Sequence, residues 1–295
     1  MIPVLLGCGG AACGGDGASR PASEPAVEGP LAVAVSILPQ KYMVERIGGP
    51  AVSVSVLIGP GQSPLTYDPT PRQMASLAGT RMYFTMGLEF ERAWLGRLRA
   101  VHRDMRVVDM RGGIRLMPLA GPGEPGDDAG QDPHVWMSPR LARVMAGVIR
   151  DALVEALPER RELFDLNYRR FVDHLGQLHG EIREILRDLP ARTFMAFHPS
   201  WGYFAEEYGL RQIPIESHGR EPGARSLSRL IDRAREERVR VLVVQAQFSR
   251  STAETVGNAV GARVITLDPL AEDYANNLRL VAEALAEALR GGGAS

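Results

Sequence analysis

Lysine and cysteine are almost absent from this chain of 295 residues, and each absence excludes a class of chemistry. Lys41 is the only lysine and follows Gln40, whereas a phosphate-binding P-loop requires Gly-Lys-Ser/Thr. We therefore exclude a P-loop NTPase, and Lys41 has no sequence context for Schiff-base chemistry. The only cysteines, Cys8 and Cys13, precede the predicted domains. Their position excludes a disulfide, a thiolate nucleophile and a cysteine metal site from the folded part.

The chain also lacks an excess of charge of either sign. Its formal net charge is −1 at pH 7, whereas a nucleic-acid-binding surface needs a basic excess. Beyond the first residues, no segment approaches the roughly 20 consecutive apolar residues that span a bilayer. Hydrophobic residues make up 45% of the chain, which suits one or two globular domains with apolar cores.

Residues 1–30 do not have the pattern of a folded domain. A short apolar run ends in Leu5-Leu6-Gly7-Cys8, which resembles a bacterial lipoprotein cleavage box with Cys8 as the lipidated residue. The following segment, rich in Gly, Ala, Ser and Pro, suits a flexible tether. Seven residues precede Cys8 and none is basic, so we expect a truncated signal whose true start lies further upstream. The alternative is a disordered cytosolic tail with incidental cysteines.

Short apolar runs alternate with helical patterns on both sides of one long helical segment. This alternation predicts an α/β fold in which mostly parallel sheets carry helices on both faces. We divide the folded part into an N-terminal lobe at 31–157, a connecting helix at 158–189 and a C-terminal lobe at 190–295. Residues 111–131, rich in glycine, proline and acidic residues, interrupt the pattern and predict a mobile loop.

The long helical segment is predicted to run without a break from residue 159 to residue 189. Its apolar positions recur in steps of four and three, which describes one continuous seam on about 45 Å of helix. A coiled coil is one interpretation, but the flanking α/β patterns favour a rigid spine packed along two lobes. His174 and His179 lie off the seam and are predicted to be solvated. The seam consists of Phe164, Tyr168, Phe171, Leu175, Leu178, Ile182, Ile185 and Leu189.

His134 lies in a stretch that holds its imidazole still. Pro133 has a fixed φ and forces Asp132 out of the α region, while Ser138-Pro139 has the form of a helix start with a serine cap. A metal site needs such a fixed ligand, although a lone histidine near a helix start is more often structural.

His198 and Asp268 each follow a predicted strand of the C-terminal lobe. In open α/β sheets, ligands bind outside the carboxyl ends of the strands, so both side chains are predicted to face the same crevice as His134. Two imidazoles and one carboxylate form a site suited to a divalent cation. The alternative is that His198 and Asp268 only cap their loops.

Four segments together resemble the zinc- and manganese-binding lipoproteins of metal ABC importers, the zinc-uptake and TroA-like substrate-binding proteins. The resemblance runs in order over residues 31–290, and the combination is far more specific than any one segment. The segments are Gly59-Pro60-Gly61 with Thr66-Tyr67-Asp68-Pro69-Thr70-Pro71, Asp132-Pro133-His134-Val135-Trp136, Phe197-His198 with Tyr203-Phe204 and Tyr208-Gly209-Leu210, and Asp268-Pro269-Leu270.

The resemblance implies two Rossmann-like lobes joined by one long helix, with a metal in the cleft between them and with His134, His198 and Asp268 as its ligands. It implies a protein without enzymatic activity that is lipid-anchored in the periplasm or at the cell surface. Such a protein captures Zn²⁺, or alternatively Mn²⁺ or Fe²⁺, and delivers it to an ABC permease with its ATPase subunit. We expect a monomer that binds no nucleic acid.

One position departs from the family pattern, which has Pro-His-Thr-Tyr where this chain has Pro64-Leu65-Thr66-Tyr67. Leucine cannot bind a cation, so the predicted site is one ligand short, and water, Asp68, Glu216 or His218 could complete it. Two alternatives follow from this gap. One is a degenerate member that has lost metal affinity and serves another ligand or partner. The other is a metal-dependent hydrolase with an open coordination position, although the chain has no His-Glu-x-x-His motif.

Overall fold

The computed structural model describes residue 1 and residues 29–121, 130–216, 223–248 and 250–291. Within these ranges the strands form two four-stranded sheets in which every pairing is parallel. The first sheet has the order β2-β1-β3-β4 and the second the order β6-β5-β7-β8. The strands are β1 (Leu31–Val35), β2 (Val52–Val56), β3 (Met82–Thr85), β4 (Arg106–Asp109), β5 (Thr193–Ala196), β6 (Arg211–Pro214), β7 (Val241–Val244) and β8 (Arg263–Thr266).

Helices connect the strands of both sheets, as the alternating pattern predicts, and the α/β fold with two lobes is confirmed. The first lobe contains the β2-β1-β3-β4 sheet with α1–α4, the second the other sheet with α6–α9, and α5 joins them. The helices are α1 (Leu38–Gly48), α2 (Pro71–Ser76), α3 (Glu89–Val101), α4 (Pro139–Ala156), α5 (Arg161–Ile185), α6 (Gly202–Tyr208), α7 (Ala224–Glu236), α8 (Arg250–Val260) and α9 (Tyr274–Arg290).

The start of α4 agrees with its predicted cap. The Ser138 hydroxyl accepts a hydrogen bond from the Leu141 backbone N–H at 3.1 Å, and Pro139 occupies the first helical position. A serine cap satisfies one of the backbone donors that a helix start leaves free. This cap sets the end of the segment that carries His134.

The connecting helix α5 is shorter than predicted. Residues Pro158–Arg160 form a separate 3-10 turn, and the helix ends at Ile185 rather than continuing to residue 189. Its 25 residues span about 38 Å. It packs against α1 and α4 of the first lobe and α9 of the second, which is the predicted spine and not a free coiled coil. The buried side chains of the helix are Phe164, Phe171, Leu175, Leu178 and Ile182.

The prediction that His174 and His179 are solvated is wrong, because both are half-buried. His179 Nδ1 lies 2.8 Å from Glu207 Oε1 and 3.2 Å from the Tyr208 hydroxyl, so α6 covers this part of the spine. Periodicity along one helix shows its main seam, but it does not show a second neighbour on another face.

Several predicted features lie outside the described residues. These are Cys8, Cys13, most of the tether, part of the acidic loop (122–129) and His218. In the part of the chain that the structure describes, no helix is long and apolar enough to cross a membrane.

Candidate metal-binding site

A cavity of about 210 Å³ lies between the two lobes, and both predicted histidines line it. The first lobe contributes His134, Leu65 and Leu88 to the wall, and the second contributes His198 and Phe248. The His198 ring stacks on Phe248 with ring centroids 5.5 Å apart. Because the carboxyl ends of parallel strands meet at one edge of a sheet, this is the location expected for a ligand site.

Asp132 orients His134 from two residues earlier in the chain. Its carboxylate accepts hydrogen bonds from the backbone N–H of His134 at 2.9 Å and from Nδ1 at 2.6 Å. The stiff Pro133 between them keeps both bonds compatible with one backbone conformation. The bond to Asp132 occupies Nδ1, so Nε2 is the ring nitrogen that is left to bind a cation.

Tyr203 and Gly202, at the start of α6, hold Asp132 in place across the lobe boundary. The Tyr203 hydroxyl donates to the Asp132 carbonyl oxygen at 3.1 Å and accepts from the Met117 backbone N–H at 2.9 Å. At Gly202, an added Cβ would lie 2.8 Å from Asp132 Oδ2, a separation that real contacts do not allow. The carboxylate therefore occupies the space that the missing side chain leaves.

Glu216, at the end of the segment that follows β6, orients His198 in the same way. Its carboxylate accepts a short hydrogen bond from His198 Nδ1, and only 1% of Glu216 is exposed. Burial lowers the pKa of His198 below its ordinary value, and the hydrogen bond that His198 donates to Glu216 opposes this effect. The bond to Glu216 occupies Nδ1, so Nε2 is the ring nitrogen that is left to face the cavity.

The two Nε2 atoms face each other at a separation of 3.3 Å. Their imidazole rings are nearly perpendicular. The other ring nitrogen of each histidine, Nδ1, is hydrogen-bonded to a carboxylate and is called its outer nitrogen below. Carboxylate–histidine pairs of this kind are the usual outer support of metal-binding imidazoles. The arrangement brings the Nε2 atoms of the two histidines together between the lobes.

Asp268, the third predicted ligand, lies beyond the end of β8 with its carboxylate engaged locally. Oδ1 accepts from the Leu270 backbone N–H at 2.9 Å, and the carbonyl oxygen accepts from Asn277 at 2.7 Å. Pro269 and Leu270 line the cavity next to it. Within the described ranges, no three His, Cys, Asp or Glu side chains are grouped so that they could hold a metal ion. The structure thus joins the two histidines and leaves the role of Asp268 a prediction.

Leu65 lies in the cavity wall, where its side chain offers no donor atom to the two histidines. Of the predicted substitutes, Asp68 is exposed and does not line the cavity, and Glu216 is bound to the outer nitrogen of His198. His218 lies outside the described residues.

Sequence reasoning missed the orienting role of Asp132 and assigned Glu216 only as a possible direct ligand. An acidic residue directly before a Pro-His pair, and so two positions before the histidine, is a usable signal for the first. The second pairing joins residues 18 positions apart, and only the sheet order brings them together.

Trp136, close to His134, and Tyr274 of α9 connect the two lobes by hydrogen bonds. The Trp136 indole N–H donates to the Pro269 carbonyl oxygen at 2.8 Å, and the Tyr274 hydroxyl donates to the Trp136 carbonyl oxygen at 2.7 Å. The ring centroids of Trp136 and His134 are 5.1 Å apart. These bonds hold the first-lobe histidine in register with the second lobe.

A family model described as the zinc-uptake complex component A, periplasmic, matches residues 33–288. The chain belongs to this family. The match covers nearly the whole folded part and confirms the family that the four sequence segments indicate.

Curated proteins and solved structures agree with the family assignment. The high-affinity zinc uptake system protein ZnuA of Bacillus subtilis (strain 168) is 28% identical over 271 residues, which are 88% of this chain and 84% of that protein. The zinc-binding lipoprotein AdcA of Streptococcus pneumoniae (strain ATCC BAA-255 / R6) is 27% identical over 257 residues, and the match covers 82% of this chain. The chain spans about half the length of AdcA, since the match covers 50% of that protein.

One solved structure shares both the fold and much of the sequence. It is the crystal structure of a ZnuA deletion mutant with zinc bound, which is 42% identical and has a TM-score of 0.81. The match covers 88% of this chain and 98% of that one. The similarity therefore extends across both lobes and the spine.

Proposed function

We propose that this chain is the extracytoplasmic substrate-binding protein of an ABC importer. It captures Zn²⁺ in the cavity between the lobes and delivers it to a membrane permease with its ATPase subunit. The zinc-bound structure of a ZnuA variant and the zinc-binding relatives support this choice of ion. Mn²⁺ and Fe²⁺ are second choices, because two imidazoles suit zinc while a carboxylate ligand also accepts harder ions.

The 3.3 Å separation of the two Nε2 atoms carries the proposal. Zn–N bonds of about 2.0–2.1 Å at a tetrahedral angle give an N···N separation of about 3.3–3.4 Å. Both nitrogens carry lone pairs, because each Nδ1 donates to a carboxylate. His134 and His198 are thus preorganised for one tetrahedral ion.

Asp268 is the proposed third ligand, from the position after β8. Its neighbours Pro269 and Leu270 line the cavity, and the carboxylate would give up its bond from the Leu270 N–H to bind the ion. In this proposal the protein is a monomer without catalytic activity, held in the periplasm or at the cell surface by a lipid on Cys8.

The ligand assignment is tested by calorimetric titration of the purified chain with zinc against a competing chelator. We expect one zinc per chain, and at least a hundredfold loss of affinity in His134→Ala and in His198→Ala. His102→Ala is the matched control, because His102 lies at the end of α3 and does not line the cavity. Unchanged affinity in both cavity variants would show that the histidines are not the ligands.

A second candidate function is a family member that has lost high-affinity metal binding and serves another ligand or partner. The observation that favours it is Leu65 in the cavity wall, where the family pattern has a histidine. The same titration distinguishes the two candidate functions, because the second one predicts no stoichiometric zinc binding by the unmodified chain.

A further inference from the structure

Gln245 lies between the two second-lobe residues that are predicted to bind the metal. The sheet order β6-β5-β7-β8 places β7 between β5, which leads to His198, and β8, which leads to Asp268. Gln245 follows the last residue of β7, and neighbouring strands are about 4.8 Å apart. The register pairs Ala196 with Val243, so Gln245 is level with His198.

The Gln245 side chain is buried and lines the cavity, but half of its amide lacks a partner. Only 2% of the residue is exposed. Nε2 donates to the Ser200 hydroxyl at 2.8 Å and to the His198 carbonyl oxygen at 3.4 Å. Oε1 is buried and has no hydrogen-bond partner among the described residues. A buried carbonyl oxygen without a partner is unfavourable, and a cation bound in the cavity would satisfy it.

The orientation of the amide follows from its neighbours. The His198 carbonyl oxygen can only accept a hydrogen bond, so the amide nitrogen must face it. A flipped amide would place two carbonyl oxygens against each other. Oε1 therefore lies on the side of the amide away from Ser200 and the His198 carbonyl, in a residue that lines the cavity.

We propose that the Gln245 amide oxygen is a ligand of the bound cation, together with His134 and His198. This inference rests on the proposed function, and it supplies the neutral oxygen donor that a site with Leu65 in place of histidine lacks. Zinc accepts oxygen ligands at about 2.0–2.2 Å and prefers four ligands. With Asp268 as the fourth ligand, the ion would be bound by two imidazole nitrogens, the neutral amide oxygen of Gln245 and one carboxylate oxygen.

Two substitutions of Gln245 separate a ligand from a structural support. Gln245→Leu removes the donor oxygen, and we expect at least a tenfold loss of zinc affinity. Gln245→Glu replaces the neutral oxygen by a charged one, and we expect at least a tenfold gain. If Gln245 only anchors Ser200 and the His198 carbonyl through Nε2, zinc affinity should fall in Gln245→Glu as well. The reason is that both variants lack the N–H donor.

The measurements are competitive zinc titration and the visible absorption of bound Co²⁺, which reports the ligand set. Gln177→Leu is the matched control, since Gln177 is exposed on α5 and does not line the cavity. We expect a changed Co²⁺ spectrum in both Gln245 variants and an unchanged one in the control. Weaker zinc binding in Gln245→Glu, or a Co²⁺ spectrum unaltered in both variants, overturns the inference.

These outcomes are distinguishable from a failure of the proposed function. If the unmodified chain binds zinc and loses it in His134→Ala, the transport proposal stands whatever Gln245 does. If the unmodified chain binds neither zinc nor Co²⁺, both proposals fall together.

Discussion

Leu65 is the residue at which this cavity differs from the pattern of its family. It adds an apolar wall beside two imidazoles whose Nε2 atoms are 3.3 Å apart. The histidines do not depend on Leu65 for their orientation, because Asp132 and Glu216 hold their outer nitrogens. A donor introduced at position 65 would therefore enter a site whose other ligands are already in place.

Leu65→His is expected to raise zinc affinity about tenfold or more, which corresponds to about 1.4 kcal/mol. The added imidazole supplies a further nitrogen to an ion that prefers four ligands. Competitive titration against a zinc chelator measures the change, and Leu65→Ala, which alters the wall without adding a donor, is the control. Equal affinities for the histidine variant and the unmodified chain would show that position 65 does not reach the ion.

Among the elements, α6 is short but contributes to both halves of the site. It begins at Gly202, directly after the loop that carries His198, and ends at Tyr208 before Gly209 with a φ of 65°. Its first residues contact Asp132 of the other lobe through the Tyr203 hydroxyl and the open space at Gly202. The helix therefore couples the orientation of His134 to the loop of His198.

Gly202→Ala is expected to lower zinc affinity about tenfold, within the range that loss of outer support to a metal ligand produces. The added Cβ would displace the Asp132 carboxylate and with it the His134 ring. Gly176→Ala is the control, because Gly176 lies in α5 with no atom within 4 Å of its added Cβ. Zinc titration of both variants, with circular dichroism to check folding, measures the effect. An affinity loss of the same size in both would argue against displacement of Asp132.

At the scale of the whole molecule, the two lobes share one hydrophobic core. The largest buried cluster joins side chains of the first sheet, α4, the spine helix, one face of the second sheet and α9. A second, smaller cluster lies on the opposite face of the second sheet, against α7 and α8. The predicted lobes are therefore two sheets around a common spine, and we expect them to unfold together.

Leu175→Ala is expected to lower the free energy of unfolding by about 2–5 kcal/mol, because a fully buried side chain is removed from the spine. Leu166→Ala, on the same helix but 41% exposed, is expected to change it by less than about 0.5 kcal/mol. Urea unfolding followed by both circular dichroism and tryptophan fluorescence tests the shared core. We expect coincident transitions, and two separated transitions would mean that the lobes unfold independently.

Local pattern predicted much of this fold. The alternation of apolar runs and helical segments located both sheets, and Ser138-Pro139 located the start of α4. The placement of His198 after a strand predicted its position at the cleft, since parallel strands present their carboxyl ends on one edge. The limits of the spine were predicted less well, because the apolar seam continues beyond Ile185 through residues that are no longer helical.

The sequence by itself determined the α/β class, the order of the elements and the family, since periodicity, caps and short motifs are local. Only the tertiary structure decided that His134 and His198 meet at 3.3 Å, and that Glu216 accepts a hydrogen bond from Nδ1 of His198. It also decided that Gln245 lies beside them with an unpartnered oxygen. The physical reason is that these contacts join residues up to 64 positions apart, and packing of two lobes on one spine sets their distances.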